Sequence, residues 1–487
     1  MIRINRYIKL IILLLAFNIS SCSDWLDEQP IDELVQDNFW QTKEDVESVL
    51  MSAYSQFAQM DDLLFLFGEL RGDMIEMNRP TSDQRLVVEG NLEPNNTLCN
   101  WSNFYKIINY CNLVLEYSQV AQSRDKTFTP YQQKVLSAEA LFLRSLSYFY
   151  LVRIFKEVPF VTRSAKTDNQ DFNLTKADEQ TIIDAIILDL EQAKLFAADE
   201  FENVKNNIGR ARKDAIYALL ADVYLWNSEY DKCITYCNQI IDREKYFMIP
   251  GSQWYTNYYP GNSLEAIFEF QHDQGSLQSN LIYRFTYIDR RFIASQYTDE
   301  LLSGLTTGDI VRYNGSYRES DFVIWKYAGT LPDGRSSRPS AEQNSCNWIV
   351  YRFADILLMK AEALGQLDQY DEAIALVNQV RQRVYLGSVE PSKNRISVED
   401  FILEERAKEF AFEGKRWFDL LRMGRRNNYE RKADLIDRIV QFVPAFQRPV
   451  YIAKLSDPYG WYFPIYYKEI EANKNLVQNP YYASFTY

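Results

Sequence analysis

The sequence predicts a mainly α-helical fold: tetratricopeptide-like helical hairpins form a scaffold that carries one irregular, aromatic-rich portion. Three observations predict it. Apolar residues recur at three- and four-residue spacing over most of the chain. A twenty-residue hairpin pattern occurs twice, 140 residues apart. Between the two copies, residues 245–347 lose that periodicity and gain rings instead.

The chain opens on MIRINRYIKLIILLLAFNISSC, residues 1–22. Arg3, Arg6 and Lys9 precede an unbroken apolar run from Leu10 to Phe17. That run is too short to span a bilayer, which takes about 20 residues, but it suits a secretory signal. Ile19-Ser20-Ser21-Cys22 resembles a bacterial lipobox, so residues 1–21 are expected to be removed and Cys22 to carry lipid. The product would be anchored to a membrane rather than spanning it. Residues 22–30, short and acidic, are expected to form a tether.

Helical patterns follow from residue 31 to 244. Val46, Val49, Leu50 and Phe57 share a face between Thr42 and Met60. Trp101 opens another helix, with Phe104, Ile107, Ile108, Cys111 and Leu115 on one side. Tyr131–Phe155 is apolar almost all round, which predicts a buried helix. Thr175 to Asp178 reads as a capping box ahead of Ile182, Ile183, Ile186 and Leu190.

The repeat is next. Ala221–Ile240 and Ala361–Val380 align without gaps and share six of 20 residues. Each holds a helix, a short break and a second helix. Tyr230, Cys233, Ile234 and Cys237 match Tyr370, Ala373, Ile374 and Val377. This is a tetratricopeptide-like hairpin, whose apolar faces need stacked neighbours. The alignment also makes Cys233 and Cys237 core residues rather than metal ligands.

Residues 245–347 differ. Between Tyr246 and Tyr327, 18 of 82 residues are Phe, Trp or Tyr, dense enough to suggest recognition from loops on a rigid scaffold. The plainer account is that rings pin down long loops. Leu264–Phe270 is the clearest strand. Residues 348–487 return to helical patterns, beginning with the second repeat copy.

Composition narrows function. Removing the signal's three basic residues takes the formal charge from −14 to −17, which argues against nucleic acid as a partner. One histidine, His272, leaves room for at most one His-based catalytic centre. Beyond Cys22 the five cysteines Cys99, Cys111, Cys233, Cys237 and Cys346 cannot all pair with one another.

Several blocks together resemble one family. They are Trp25-Leu26-Asp27 with Pro30; Asn38-Phe39-Trp40 and Ala53-Tyr54; Trp101, Tyr105, Ile108 and Asn112; and Glu139–Arg144 with Tyr148-Phe149 and Val158-Pro159. Arg352–Leu358 follows with Ala361-Glu362-Ala363, then Glu405–Leu420, Phe463-Pro464-Ile465 and Gln478-Asn479-Pro480. In this order they resemble the SusD/RagB family of outer-membrane lipoproteins. Lys156, Tyr466 and Tyr481 depart from it at turns, Lys156 standing where glycine is usual. The resemblance implies four tetratricopeptide-like units, a SusC-like TonB-dependent transporter as partner, and a ligand that is usually glycan and sometimes peptide.

A sugar site needs flat rings over pyranose C–H faces and a few amides, carboxylates or guanidiniums for hydroxyls. Asn100, Trp101 and Asn103 supply that mixture at a helix start, a region where family members place a stacking Trp and an Asn. Arg71 and Asp73 lie in a loop and are candidates for hydroxyl contacts. Trp325 is the leading ring in the later region, with Tyr287, Tyr297 and Trp254 behind it. Each carries a bland alternative: core packing for Trp101, a loop-bracing salt bridge for Arg71 and Asp73.

Two catalytic readings are set aside on geometry. Glu405, Glu409 and Glu413 line one helical face, whereas glycoside hydrolysis needs carboxyls facing each other across a substrate. His272 beside Asp273 lacks any nucleophile elbow. The expectation is therefore a non-catalytic glycan binder needing no cofactor. A peptide binder of the same family is the alternative, and a surface hydrolase the third possibility.

Overall fold

The computed structural model describes residues 39–165, 170, 173–272, 280–303, 308–328, 345–441 and 443–484. Cys22, the signal, the tether and Asp273 lie outside them.

Among the described residues, eight helices build the scaffold in four pairs. They are α1 Lys43–Ala58, α2 Ser102–Arg124, α3 Pro130–Phe155, α4 Glu179–Phe196, α5 Lys213–Trp226, α6 Tyr230–Ile241, α7 Phe353–Gln366 and α8 Tyr370–Arg383. Each packs on the next in chain order, so every apolar face is covered by a neighbour.

Local chemistry explains where these helices start. The Thr42 hydroxyl accepts from the Asp45 N–H while the Asp45 carboxylate accepts from the Thr42 N–H at 2.8 Å, closing a capping box for α1. Thr129 and Gln132 do the same for α3, with Pro130 at its first position. By length and composition α3 could cross a membrane, yet 94% of its apolar window is buried inside the protein. The α4 cap corrects the expectation. Lys176–Ala177 pairs antiparallel with Val158–Pro159, which holds Thr175 before an extended segment. Asp178 caps instead, accepting from Thr181 N–H at 2.9 Å.

The repeat is reproduced to the residue. Trp226 and Gln366 end the first helices, and Tyr230 and Tyr370 begin the second. In each break the matching residue is left-handed, Ser228 at φ 61° and Asp368 at φ 60°. Cys233 and Cys237 are fully buried, like Ala373 and Val377 opposite them in the alignment.

The irregular portion is tied to the scaffold by short antiparallel pairs. Ala266–Phe270, within the expected strand, pairs with Trp348–Arg352, and all ten residues are buried. Ile75–Met77 pairs with Phe292–Ala294, and Tyr317–Arg318 with Val323–Ile324. The loop after helix Asp61–Glu69 is thereby joined to residues 292–324. One hydrophobic core runs from Trp40 to Tyr482 through all of these parts.

A buried ionic clamp completes the joint. Its carboxylates come from Glu265, Asp309 and the block that begins in helix α9, Arg395–Glu409. Glu409 accepts from Arg312 at 3.1 Å, from Arg352 at 2.5 Å and from Arg383. Glu405 accepts from Arg312 at 2.7 Å and Arg381 at 3.2 Å. Glu413 accepts from Arg352 and Lys326, each at close range. Burial opposes ionisation of Glu409, but Arg383, Arg352 and Arg312 overcome it and hold its carboxyl well below the usual range. Beside the clamp, Gly68 lies so close to the turn at Gly414 that a Cβ would sit 1.8 Å from the Gly414 carbonyl oxygen.

Candidate functional site

The structure distributes the expected site residues over four places. Trp101 precedes α2 with its ring packed edge-on against Tyr105 and Phe155, only 3% exposed. Asn100 is exposed, and its side-chain oxygen accepts from the Ser102 N–H at 2.8 Å; Asn103 is half-buried one turn on.

Arg71 points to the chain's tail. Its guanidinium donates to the carbonyls of Trp461 and Gly460 and lies over the Trp417 ring at 4.6 Å. Asp73 is buried and takes both oxygens to Arg416, each at 2.7 Å. Arg416 in turn lies 5.8 Å from the half-buried Tyr297 ring. Arg71 and Asp73 therefore act as braces, and not toward one another. Trp254 is buried under Gly315 and Tyr258.

Tyr287 and Trp325 come together. Helix Leu281–Tyr283 widens into a π-helical turn at Arg284–Ile288, a feature frequent at functional sites. The turn stacks Tyr287 on Tyr283 with centroids 5.4 Å apart. Tyr283, Trp325 and Ala328 form a small apolar cluster separate from the main core, with Tyr287 packed against it. Trp325 is fixed by its indole N–H donating to the Asn314 carbonyl at 2.9 Å. Arg318 faces this cluster, 6.0 Å from the Trp325 ring and within reach of the Tyr287 hydroxyl. Its other partner is Asp321, bound through two nitrogens at 2.7 and 2.6 Å.

The plainer account of the aromatic density explains most of it. Of the 18 rings between Tyr246 and Tyr327, nine are buried in the main core and four more pack against it. Tyr283, Tyr287 and Trp325 are among the few that do neither. Tyr283 and Arg318 were not singled out from sequence. The signal available was the Tyr283–Tyr287 spacing of four, which places two rings on one helical face.

A concavity of about 290 Å³ lies elsewhere, between the start of α2, the Val158–Pro159 strand and helix Tyr467–Ala472. Trp101, Tyr105, Ile108, Val161 and Leu476 line it. Its amides are spent on its own walls: Asn109 accepts from Ala165 N–H, Asn112 donates to the Arg163 carbonyl, and Asn473 donates to the Leu174 carbonyl. The rest of the lining is largely apolar, with Arg163, Gln170 and Glu469 as its polar members.

The carboxylates of the Glu405–Arg422 block are committed as well. Besides the clamp, Arg406 binds Asp355 and Asp419, and Arg422 binds Glu362 and Asp419. His272 is buried, with Nε2 3.0 Å from the Ala58 carbonyl and 3.6 Å from Asp61. Burial pushes it down to about 4. Among the described residues no group of three or more His, Cys, Asp or Glu side chains is placed to hold a metal.

A family model described as "SusD family" matches residues 222–482, over half the chain. The chain belongs to the SusD family. A second model, described as "Starch-binding associating with outer membrane", matches residues 24–225. The two matches meet inside α5, so the boundary between them is not a structural one. Among curated relatives, SusD-like protein P38 of Formosa agariphila is 26% identical over 478 residues, covering 86% of this chain and 91% of its own. A SusD-like protein of Bacteroides ovatus is 24% identical over 460 residues, covering 85% and 81%. Solved structures share the fold. A SusD superfamily protein from Bacteroides vulgatus superposes with a TM-score of 0.75 at 20% identity, covering 91% of this chain and all of that one. A laminarin-binding SusD-like protein gives 0.69 at 21%, covering 90% and 99%. The mainly α, tetratricopeptide-like architecture is thus that of the family.

Proposed function

We propose that this chain is a non-catalytic surface lipoprotein that binds oligo- or polysaccharide and passes it to a SusC-like TonB-dependent transporter. The observation that carries the reading is the half-buried Tyr287 ring, stacked on buried Tyr283 and packed in a small cluster with buried Trp325 apart from the main core, with Arg318 beside it. Rings of this kind cover sugar C–H faces, and a guanidinium fixes hydroxyls. A family described as starch-binding and a laminarin-binding structural neighbour support glycan as the ligand class. Residues 245–347 supply the site and the helical pairs hold it. Asn100, Trp101, Asn103, Arg71, Asp73 and Tyr297 then serve mainly as supports.

Non-catalytic capture fits the carboxylates, which are buried and ion-paired in the clamp rather than opposed across a cleft. A small aromatic site of this kind binds in roughly the micromolar to millimolar range, about −8 to −4 kcal/mol, suited to capture and release. Cys22 supplies the lipid anchor at the outer membrane.

The test is affinity electrophoresis and calorimetry of the chain against a polysaccharide panel and a peptide panel. Retention by at least one glycan, with no new reducing ends, is expected. Binding to peptides alone would overturn the reading. In cells, Cys22→Ala should abolish membrane retention while leaving ligand binding intact.

A further inference from the structure

Buried arginines in this protein are answered by carboxylates. Among the described residues, each fully buried arginine lies within 3.9 Å of one. Burial pulls the Arg312 and Arg416 guanidiniums down, but Glu405 and Asp73 more than offset it and push them up. Arg71 is the contrast. It is half-buried, and its Nη1 and Nη2 donate to the carbonyls of Trp461 and Gly460, each at 2.5 Å. The Trp417 and Phe463 rings lie at 4.6 and 5.5 Å. No described carboxylate pairs with it. Burial pulls it below the ordinary guanidinium range, and what opposes this is Tyr482, Tyr481, Cys99 and Tyr462 rather than an acid.

Arg71 lines a cavity of about 50 Å³ that it shares with a second cation, Lys454. The Lys454 ammonium donates to the Asn91 side-chain oxygen at 2.5 Å and to the Glu89 carbonyl at 3.3 Å. It passes Gly90, left-handed at φ 63°, where a Cβ would sit 3.2 Å from the Lys454 Cδ. Burial lowers this ammonium too, against the Glu89 carboxylate, which forms no ion pair with it. Asp457 bears on Tyr481 and accepts from the Tyr459 N–H. Lys454 belongs to helix Arg448–Leu455, which buries none of its eight residues. Besides Lys454, that helix is tied down by the Tyr451 hydroxyl donating to the Val88 carbonyl at 2.8 Å.

We propose that this cavity binds one small oxyanion, a carboxylate, phosphate or sulfate, between Arg71 and Lys454. A guanidinium carries five N–H donors, and two carbonyls leave Arg71 with donors to spare. A cavity of this size holds roughly three or four waters or one such anion. Water would solvate the cation but leave its charge unanswered, whereas an oxyanion makes charge-assisted bonds to both donors. The bound anion also fastens helix Arg448–Leu455 to Arg71 through Lys454, so the ligand orders a helix that the core does not hold.

The test is calorimetry of the full chain with sodium acetate, phosphate and sulfate, each against chloride at matched ionic strength. At least one of the three should bind saturably at millimolar concentration or below, and the arms separate a carboxylate ligand from an inorganic one. Saturation marks a site, since general salt effects on stability keep growing with concentration. Lys454→Met, at a half-buried position that leaves Arg71 and its carbonyl partners in place, should weaken binding about tenfold, while Lys454→Arg should retain it. Hydrogen exchange over residues 448–455 should slow about fivefold at saturating anion in the native chain and stay unchanged in Lys454→Met. No saturable binding of any of the three up to about 50 mM, or equal binding by the native chain and a folded Lys454→Met protein, would overturn the proposal. Either result leaves the glycan reading untouched.

Discussion

Two regions of this protein are built from the same residue types and do opposite things. In the clamp, Glu409 and its arginines Arg312, Arg352 and Arg383 are buried, and each is matched through several partners. At the rim around Tyr287, Arg318 and Arg290 share Asp321 at 2.6 and 3.2 Å, Arg284 and Arg291 lie 3.7 Å from Asp289, and the side chains are part-exposed to solvent. A buried ion must be paired, because desolvation is costly and only close geometry offsets it. An exposed guanidinium bears no such demand, so its unmet valence is left for a ligand. The comparison teaches that buried pairs with several partners hold the fold, while the part-exposed pairs beside Tyr287 keep N–H groups open to solvent.

Breaking the clamp has the largest expected effect. Glu409→Gln leaves Arg312, Arg352 and Arg383 short of charge inside the core. The loss of stability should be about 3–5 kcal/mol, read by urea unfolding. Little change in unfolding would show the clamp to be dispensable.

A buried carboxyl beside the clamp sharpens the comparison next. Glu69 is buried, with Oε1 accepting from the Gly414 N–H at 2.8 Å, and burial raises its carboxyl to about 8. A carboxyl raised in the folded state binds more protons there than in the unfolded chain. Its contribution is complete below the ordinary value near 4.5 and is lost as pH rises toward 8. Glu69→Gln removes that loss. The variant should therefore gain stability relative to the native chain as pH rises from 5 to 8, by up to roughly 1.4 kcal/mol per pH unit. A difference independent of pH would contradict the assignment.

These regions differed in how far they could be read from sequence. Periodic apolar residues placed the helices, because each face is encoded within a few residues. The repeat went further, matching Cys233 to Ala373 and so placing it in the core before any coordinate was known. Lys156 also held information: it stands where the family keeps glycine, and it adopts φ 70° at the end of α3. Arg71 and Asp73 were readable as a pair of charges but not as braces, since Asp73 meets Arg416 across 343 residues of chain. Local pattern carries no trace of such a partner. Trp101 and Trp325 looked alike as rings beside polar residues. What separates them is that Trp101 meets Phe155 in the main core while Trp325 sits in a cluster of its own. The pairing of Arg290 with Asp321 was hidden for the same reason, because the two lie 31 residues apart in the chain.

The most direct measurement is therefore made at the rim, where the effect in energy is smallest. Tyr287 is half-buried and lies outside the main core, so its loss should cost little stability. Tyr287→Ala is compared with the native chain by thermal melting and by titration with whichever glycan the native chain retains. The account predicts a melting curve close to native and binding weakened about five- to tenfold, the worth of roughly 1 kcal/mol of ring stacking. Unchanged affinity in a folded Tyr287→Ala protein would contradict the claim that this rim, and not the groove beside Trp101, holds the ligand.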